Sequence, residues 1–198
     1  MRFADPVTLE GEHAALVPLA RAHLDDLVEA TRDGELWALW YTTVPDPDGM
    51  AAEIERRLAL AERGLMVPFT VVGKPSGRAV GMTTFMHIDA DNRRLEIGST
   101  WYRKSVQRTA VNTECKLMLL AHAFETLGCI AVEFRTHFLN RRSRAGIERL
   151  GARLDGVLRQ HMIGRGGTLR DTCVYSILDR EWPAVKTNLL HQLMKPRD

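Results

Sequence analysis

The chain has 198 residues, 45% of them hydrophobic and 26% charged, enough apolar material for one substantial core, and it reads as a single globular domain over 1–198. No run approaches the roughly 18 consecutive apolar residues that span a bilayer, and Asp5, Glu10 and Glu12 fall where a secretory leader is apolar, so the expectation is a soluble, cytoplasmic protein without a membrane partner. The net charge is only +2 but uneven: residues 1–100 hold 10 Lys and Arg against 16 Asp and Glu, residues 101–170 hold 13 against 5, a middle that suits an anionic ligand and a first half that suits a cation such as an amine.

In chain order, Ala15 to Leu19 reads as a strand and Arg21 to Arg32 as a helix, followed by the aromatic segment Trp37, Trp40 and Tyr41 and the turn Pro45 to Gly49. Ala51, Ile54, Leu58 and Ala61 recur at helical spacing over Met50 to Arg63, with Gly64 as a stop. Val67 to Val72 and Ala79 to Ile88 read as a hairpin about Lys74-Pro75-Ser76-Gly77, and the turn at Asp89 to Asn92 leads into a strand over Leu95 to Tyr102. Asn112 to Leu127 is apolar on most sides, as a helix packed on a sheet is, and Gly128 ends it. Ile130 to Thr136 is a strand, Asn140 an N-cap for a helix ending at Gly151, Gly156 to Met162 and Thr172 to Leu178 a second hairpin, and Glu181 onward a final helix. The alternation predicts a mixed α/β layer around one central sheet. Cys115, Cys129 and Cys173 lie in apolar stretches without metal-ligand spacing, which fits buried free thiols rather than zinc ligands.

The segment with most chemical content joins the strand at Leu95 to the helix that starts near Thr109 through Arg103-Lys104-Ser105-Val106-Gln107-Arg108. A strand, a cationic turn and a helix N-terminus together aim unpaired backbone N–H groups and the positive end of a helix dipole at one point, a site for a phosphate or pyrophosphate. Arg103, Lys104, Arg108 and Arg142 are candidates for its outer charges.

These segments resemble the GNAT superfamily of acyl-CoA-dependent N-acyltransferases, nearest the branch that acetylates ribosomal-protein N-termini. The family's cofactor loop, Gln/Arg-x-x-Gly-x-Gly/Ala, aligns with Gln107-Arg108-Thr109-Ala110-Val111-Asn112, and a second motif with Asn140, Ser143 and Leu150-Gly151. Gln107 matches; Ala110 replaces a glycine, tolerable where φ is negative, and Asn112 replaces a small residue. The resemblance implies a central mixed sheet splayed at the cofactor site and flanked by helices, with acetyl-CoA or CoA as cofactor. Its pyrophosphate would lie at Gln107, Arg108, Thr109, Ala110, Val111 and Asn112, its arm along Thr100, Trp101 and Tyr102, with Asn140, Arg142 and Ser143 alongside. Many relatives carry a tyrosine four residues beyond Ser143, where this chain has Ile147, so Ser143 is the candidate proton donor to the CoA thiolate.

For the acceptor amine, Glu96, His161 and Tyr175 are candidates to handle the proton, His161 foremost because its ordinary pKa lies near about 6.5, and Trp37, Trp40 and Tyr41 are candidates to wall the pocket. The function implied is direct transfer of an acyl group, acetyl in the first instance, to a small-molecule amine or protein N-terminus. A catalytically inactive CoA-binding or sensory module is the alternative. An RNA-binding protein is a third reading, disfavoured because the arginines are not interleaved with stacking aromatics. A homodimer fits the resemblance, and no metal is called for.

Overall fold

A computed structural model describes residues 3–195. One eight-stranded sheet runs through the molecule: β1 Leu9–Glu10, β2 Ala14–Pro18, β3 Met66–Gly73, β4 Arg78–Asp89, β5 Arg94–Tyr102, β6 Ala131–His137, β7 Arg153–Ile163 and β8 Leu169–Leu178, in the spatial order β1-β2-β3-β4-β5-β6-β8-β7. Only β5 and β6 are parallel, because the long connection between them carries a helix, whereas hairpins join β3 to β4, β4 to β5 and β7 to β8. Five α-helices flank it: α1 Leu24–Arg32, α2 Met50–Glu62, α3 Ala110–Ala121, α4 Arg141–Leu150 and α5 Trp182–Met194. The architecture is the splayed, helix-flanked mixed sheet expected from the sequence.

Apolar side chains fill both faces. Leu16, Phe69, Phe85, Leu95, Ile97, Val132, Phe134 and Ile177 pack with Cys115, Leu119 and Leu120 of α3 and Leu189 of α5. On the opposite face Leu27 and Ala30 of α1 and Met50 and Ile54 of α2 pack with Met82 and Trp101. Each expected element is present; most ends shift by a residue or two, as caps and fraying ends allow, and a few by three residues or more.

Three local features differ from the sequence reading. The short β1 was not foreseen; the turn after it is held by Glu114 of α3, whose carboxylate accepts N–H bonds from Glu12, His13 and Ala14, each 2.8 Å. The helix expected to reach Leu127 is α-helical only to Ala121, then widens into a π-turn over His122–Thr126 before Gly128 reverses the chain at φ 66°. And β7 begins at Arg153, earlier than expected, and runs along the sheet edge, where Leu154, Leu158, Met162 and Ile163 are exposed. Among the described residues no helix is long and apolar enough to cross a membrane, and no cluster of His, Cys, Asp or Glu is arranged to hold a metal.

Candidate active site

The site begins with a failure of strand pairing. β5 and β6 are bonded only at Arg94↔Ala131, Leu95↔Val132 and Glu96↔Glu133; beyond that β6 continues in register with β8, while β5 continues to Tyr102 with no partner on its β6 side. The departure coincides with a bulge in β5. Thr84 faces Gly98 but Met82 faces Trp101, so Ser99 and Thr100 together oppose Thr83, and Ser99 takes a left-handed φ of 48°. The buried guanidinium of Arg57 from α2 braces the bulge, donating to Thr84 Oγ1 at 2.8 Å and reaching the Ser99 carbonyl at 3.4 Å, with Glu53 as its counter-charge at 2.7 Å. The sequence reading of this helix named only its apolar positions and not Arg57, which no local signal separates from Arg56 beside it.

Trp101 and Tyr102 are buried in opposite cores, so only their backbones face the opening. The carbonyl of Tyr102 is already taken by Gln107 Nε2 at 2.8 Å. Gln107 also accepts from Arg142 Nη2 at 2.7 Å, and so ties the end of β5 to the first turn of α4 across the split. A cavity of about 320 Å³ lies here, lined by Lys104, Gln107, Arg108 and Arg142.

Above it α3 starts. Thr109 is its N-cap, extended at φ −93°, its hydroxyl donating to the Val106 carbonyl at 2.6 Å and accepting from Val111 N at 3.4 Å. Ala110, Val111 and Asn112 form the first turn, whose N–H groups lack intrahelical acceptors apart from that cap. Ala110 is helical, the negative-φ geometry in which the missing glycine is not needed, and Asn112 sits in the helical turn without closing the cavity. Arg108 is left-handed at φ 66°, a conformation that costs a non-glycine residue of order 1 kcal/mol and is concentrated at functional sites.

Lys104, Arg108 and Arg142 have no carboxylate partner among the described residues. Arg103, expected beside them, is turned away onto Asp33 at 2.8 Å and Glu29 at 3.7 Å of the α1 region. Other arginines of the basic middle are likewise spent on protein partners: Arg135 on Glu133, Arg144 on the Tyr175 hydroxyl, Arg149 on Gln192 and Arg159 on Asp171. Several acids of the first half are paired in the same way, with arginines of that half: Glu55 with Arg21, Asp26 with Arg78 and Glu53 with Arg57. Against these paired side chains, Lys104, Arg108 and Arg142 stand together at the cavity as cations without a carboxylate partner among the described residues.

Asn140 caps α4 by accepting the Ser143 N–H at 3.0 Å, which places Ser143 in the first turn, half-buried, and Gly151 closes the helix at φ 103°. The expected amine-handling residues separate. Tyr175 is fully buried, its hydroxyl donating to Glu148 and accepting from Arg144, so it anchors α4. His161 is exposed on the edge strand, 3.2 Å from Thr172 Oγ1, with β8 and β6 between its strand and β5.

Glu96 alone of the three stands on β5, at its last pairing with β6 and on the face opposite α3. Its carboxyl is buried, which raises its pKa above the ordinary carboxylate value against the opposing pull of His87 at 2.8 Å and Arg135 at 3.4 Å. At the far end of β6, His137 is flanked by Trp40 and Tyr41, with ring centroids 5.1 and 6.4 Å away, and burial holds its pKa below the usual value. The aromatic segment therefore does meet the sheet beside the split, through Trp40 and Tyr41.

A strand that leaves its neighbour, an anion-seeking helix start beside it and a capped helix across the gap are the features that the acetyltransferase (GNAT) domain family combines, and that family matches residues 14–153 of this chain. A GCN5-related N-acetyltransferase structure from Brucella melitensis is 32% identical, covering 96% of this chain and 86% of its own, with a TM-score of 0.84. The chain belongs to the GNAT acetyltransferase family. A Bacillus subtilis protein, YdaF, described provisionally as a ribosomal N-acetyltransferase, is 33% identical over 110 residues, a match that spans 56% of this chain and 59% of that protein. Mycobacterium smegmatis RimJ, in complex with CoA-disulfide, shares the fold at a TM-score of 0.80 and 20% identity, over 94% of this chain and 95% of its own.

Proposed function

We propose that this chain transfers an acetyl group from acetyl-CoA to a primary amine. The observation that carries the reading is the set of unneutralised cations, Lys104, Arg108 and Arg142, gathered at the start of α3 beside an unpaired length of β5. The residues fit the cofactor: first-turn amides at Ala110, Val111 and Asn112 together with three cations suit a phosphorylated ligand. The free edge of β5 from Ile97 to Trp101 suits an amide-bearing arm taken up as an added strand. Acetyl-CoA supplies an acyl group activated as a thioester.

The chain's own groups then divide the remaining work. Gln107 and Arg142 hold the two walls of the split at a fixed spacing. Glu96, whose burial raises its pKa and so makes its carboxylate more basic, takes as that carboxylate the proton of the attacking amine, directly or through a water, in place of the more distant His161. Asn140 orients the first turn of α4, and Ser143 delivers a proton to the departing thiolate.

The acceptor approaches from the face that carries Glu96, with Trp40 and Tyr41 as its aromatic border. A protein N-terminus is the first acceptor to test, because the B. subtilis relative bears a ribosomal acetyltransferase description. The exposed apolar row of Leu154, Leu158, Met162 and Ile163 on edge strand β7 supports a homodimer, since such a row on a sheet edge seeks cover; sedimentation at micromolar concentration tests it. For the activity, release of CoA from acetyl-CoA is measured with a panel of peptides, amino acids, polyamines and aminoglycosides. Acceptor-dependent release supports the reading; CoA binding without release by any acceptor leaves the chain a CoA-binding module.

A further inference from the structure

The ammonium of Lys116 has no explained purpose in the fold. It projects from α3, in a run of apolar residues, and is 6% exposed, yet among the described residues no carboxylate pairs with it. Among the described residues its one hydrogen bond is to Thr100 Oγ1 at 3.0 Å, and the ring of Phe134 lies 5.9 Å away, at the outer limit of a cation–π contact. Thr100 belongs to the length of β5 past its last pairing with β6, and Phe134 is the first residue of β6 past that same pairing. The charge therefore sits inside the split, between the two strands as they separate.

A buried cation with a single neutral acceptor costs several kcal/mol, and an apolar side chain of the same length fills such a place at less cost. Burial indeed pulls the Lys116 pKa from 10.5 down to about 8. A group retained at that cost, with two N–H donors unspent, calls for an acceptor that arrives from outside. We propose that Lys116 is a ligand for the amide-bearing arm that CoA and acyl-CoA share, donating from within the split to one of the arm's amide carbonyl oxygens. This rests on the reading that acyl-CoA occupies the split, and adds a side chain on α3 to a recognition that otherwise uses backbone edges and the phosphate-binding turn.

The test compares two probes on the unaltered chain and on Lys116→Met by calorimetry. CoA carries the arm; adenosine 3′,5′-bisphosphate carries the nucleotide and a phosphate without it. The expected result is a loss of about tenfold or more in CoA affinity, the worth of a hydrogen bond from a charged donor, with bisphosphate affinity unchanged and thermal stability equal or higher. Equal CoA affinity in the two proteins overturns the assignment. So does failure of Lys116→Met to fold, since the ammonium is then a structural group, and so does an equal loss for both probes. If the unaltered chain binds bisphosphate but not CoA, or neither, the acyl-CoA reading falls and this inference with it; a normal CoA affinity in the unaltered chain matched by the variant removes only the part given to Lys116.

Discussion

Asn112→Asp pulls stability and binding in opposite directions, and so separates a cofactor site from an ordinary helix start. Asn112 is the third residue of α3, half-buried, four residues after Arg108, which lines the cavity with Lys104, Gln107 and Arg142. An added carboxylate in a first helical turn interacts favourably with the helix dipole, by about 0.3–1 kcal/mol. Stability should hold or rise, by up to about 2–4 °C in Tm for a chain of this size. The same carboxylate opposes the diphosphate. Two unit charges about 4 Å apart repel by about 1 kcal/mol in bulk water and about 4 kcal/mol near a protein surface, so an intermediate environment gives roughly 2 kcal/mol, or about 30-fold in Kd. The assay is calorimetry with CoA beside a thermal melt, at low and at high salt; the affinity difference should shrink as salt screens the charge. A variant that binds CoA as tightly as the unaltered chain refutes the placement of the pyrophosphate at this turn. A variant that loses stability refutes the account of the helix start.

Ser143→Ala should lower kcat by about ten- to a hundred-fold with CoA affinity nearly intact, because a thiolate is already a fair leaving group; lost affinity with unchanged kcat would make Ser143 a cofactor contact instead. Glu114→Ala should cost about 3–5 kcal/mol in urea unfolding, since it strands three N–H groups that now share one buried carboxylate; a loss below about 1 kcal/mol would show that water reaches them. Lys116 titrates near 8 in the folded chain and at 10.5 when unfolded, so between those values the unfolded state binds more protons and stability climbs with pH, by on the order of 3 kcal/mol; the climb should be missing in Lys116→Met, and equal slopes in both proteins would contradict it. Cys115, Cys129 and Cys173 are buried, and burial raises the first two thiols to about 12 and about 11, so a thiol reagent should label the native chain at none of them and can report released CoA against a flat baseline; rapid labelling before unfolding would argue that the core opens.

What could be read from the sequence was what neighbouring residues decide together. The strand, cationic turn and capped start of α3 announced themselves because Thr109 and the first-turn amides act within a few residues, and Asn140 could be named as a cap because its acceptor reaches only to Ser143. Hairpins β3–β4 and β7–β8 were legible for the same reason. Long-range pairing was not legible. Arg103 has the same chemistry as Arg108, and only its meeting with Asp33, 70 residues earlier, removes it from the cation cluster. The braced bulge depends on Arg57 crossing to Thr84 and Ser99, and the separation of Tyr175 and His161 from Glu96 depends on strand order, which alternation of side chains does not encode. Lys116 did leave a mark, as the lone cation between Cys115 and Leu120 in the most apolar helix of the chain, and a charge in such a run is a reason to ask what it faces.

The central claim is that the split between β5 and β6, with the start of α3, is an acyl-CoA site, and calorimetric titration of acetyl-CoA into the purified, unaltered chain tests it most directly. One saturable site per chain is expected, with an affinity that falls as salt rises, because three cations and a helix terminus meet the phosphates. No binding at millimolar acetyl-CoA, or binding that is indifferent to salt, would contradict it.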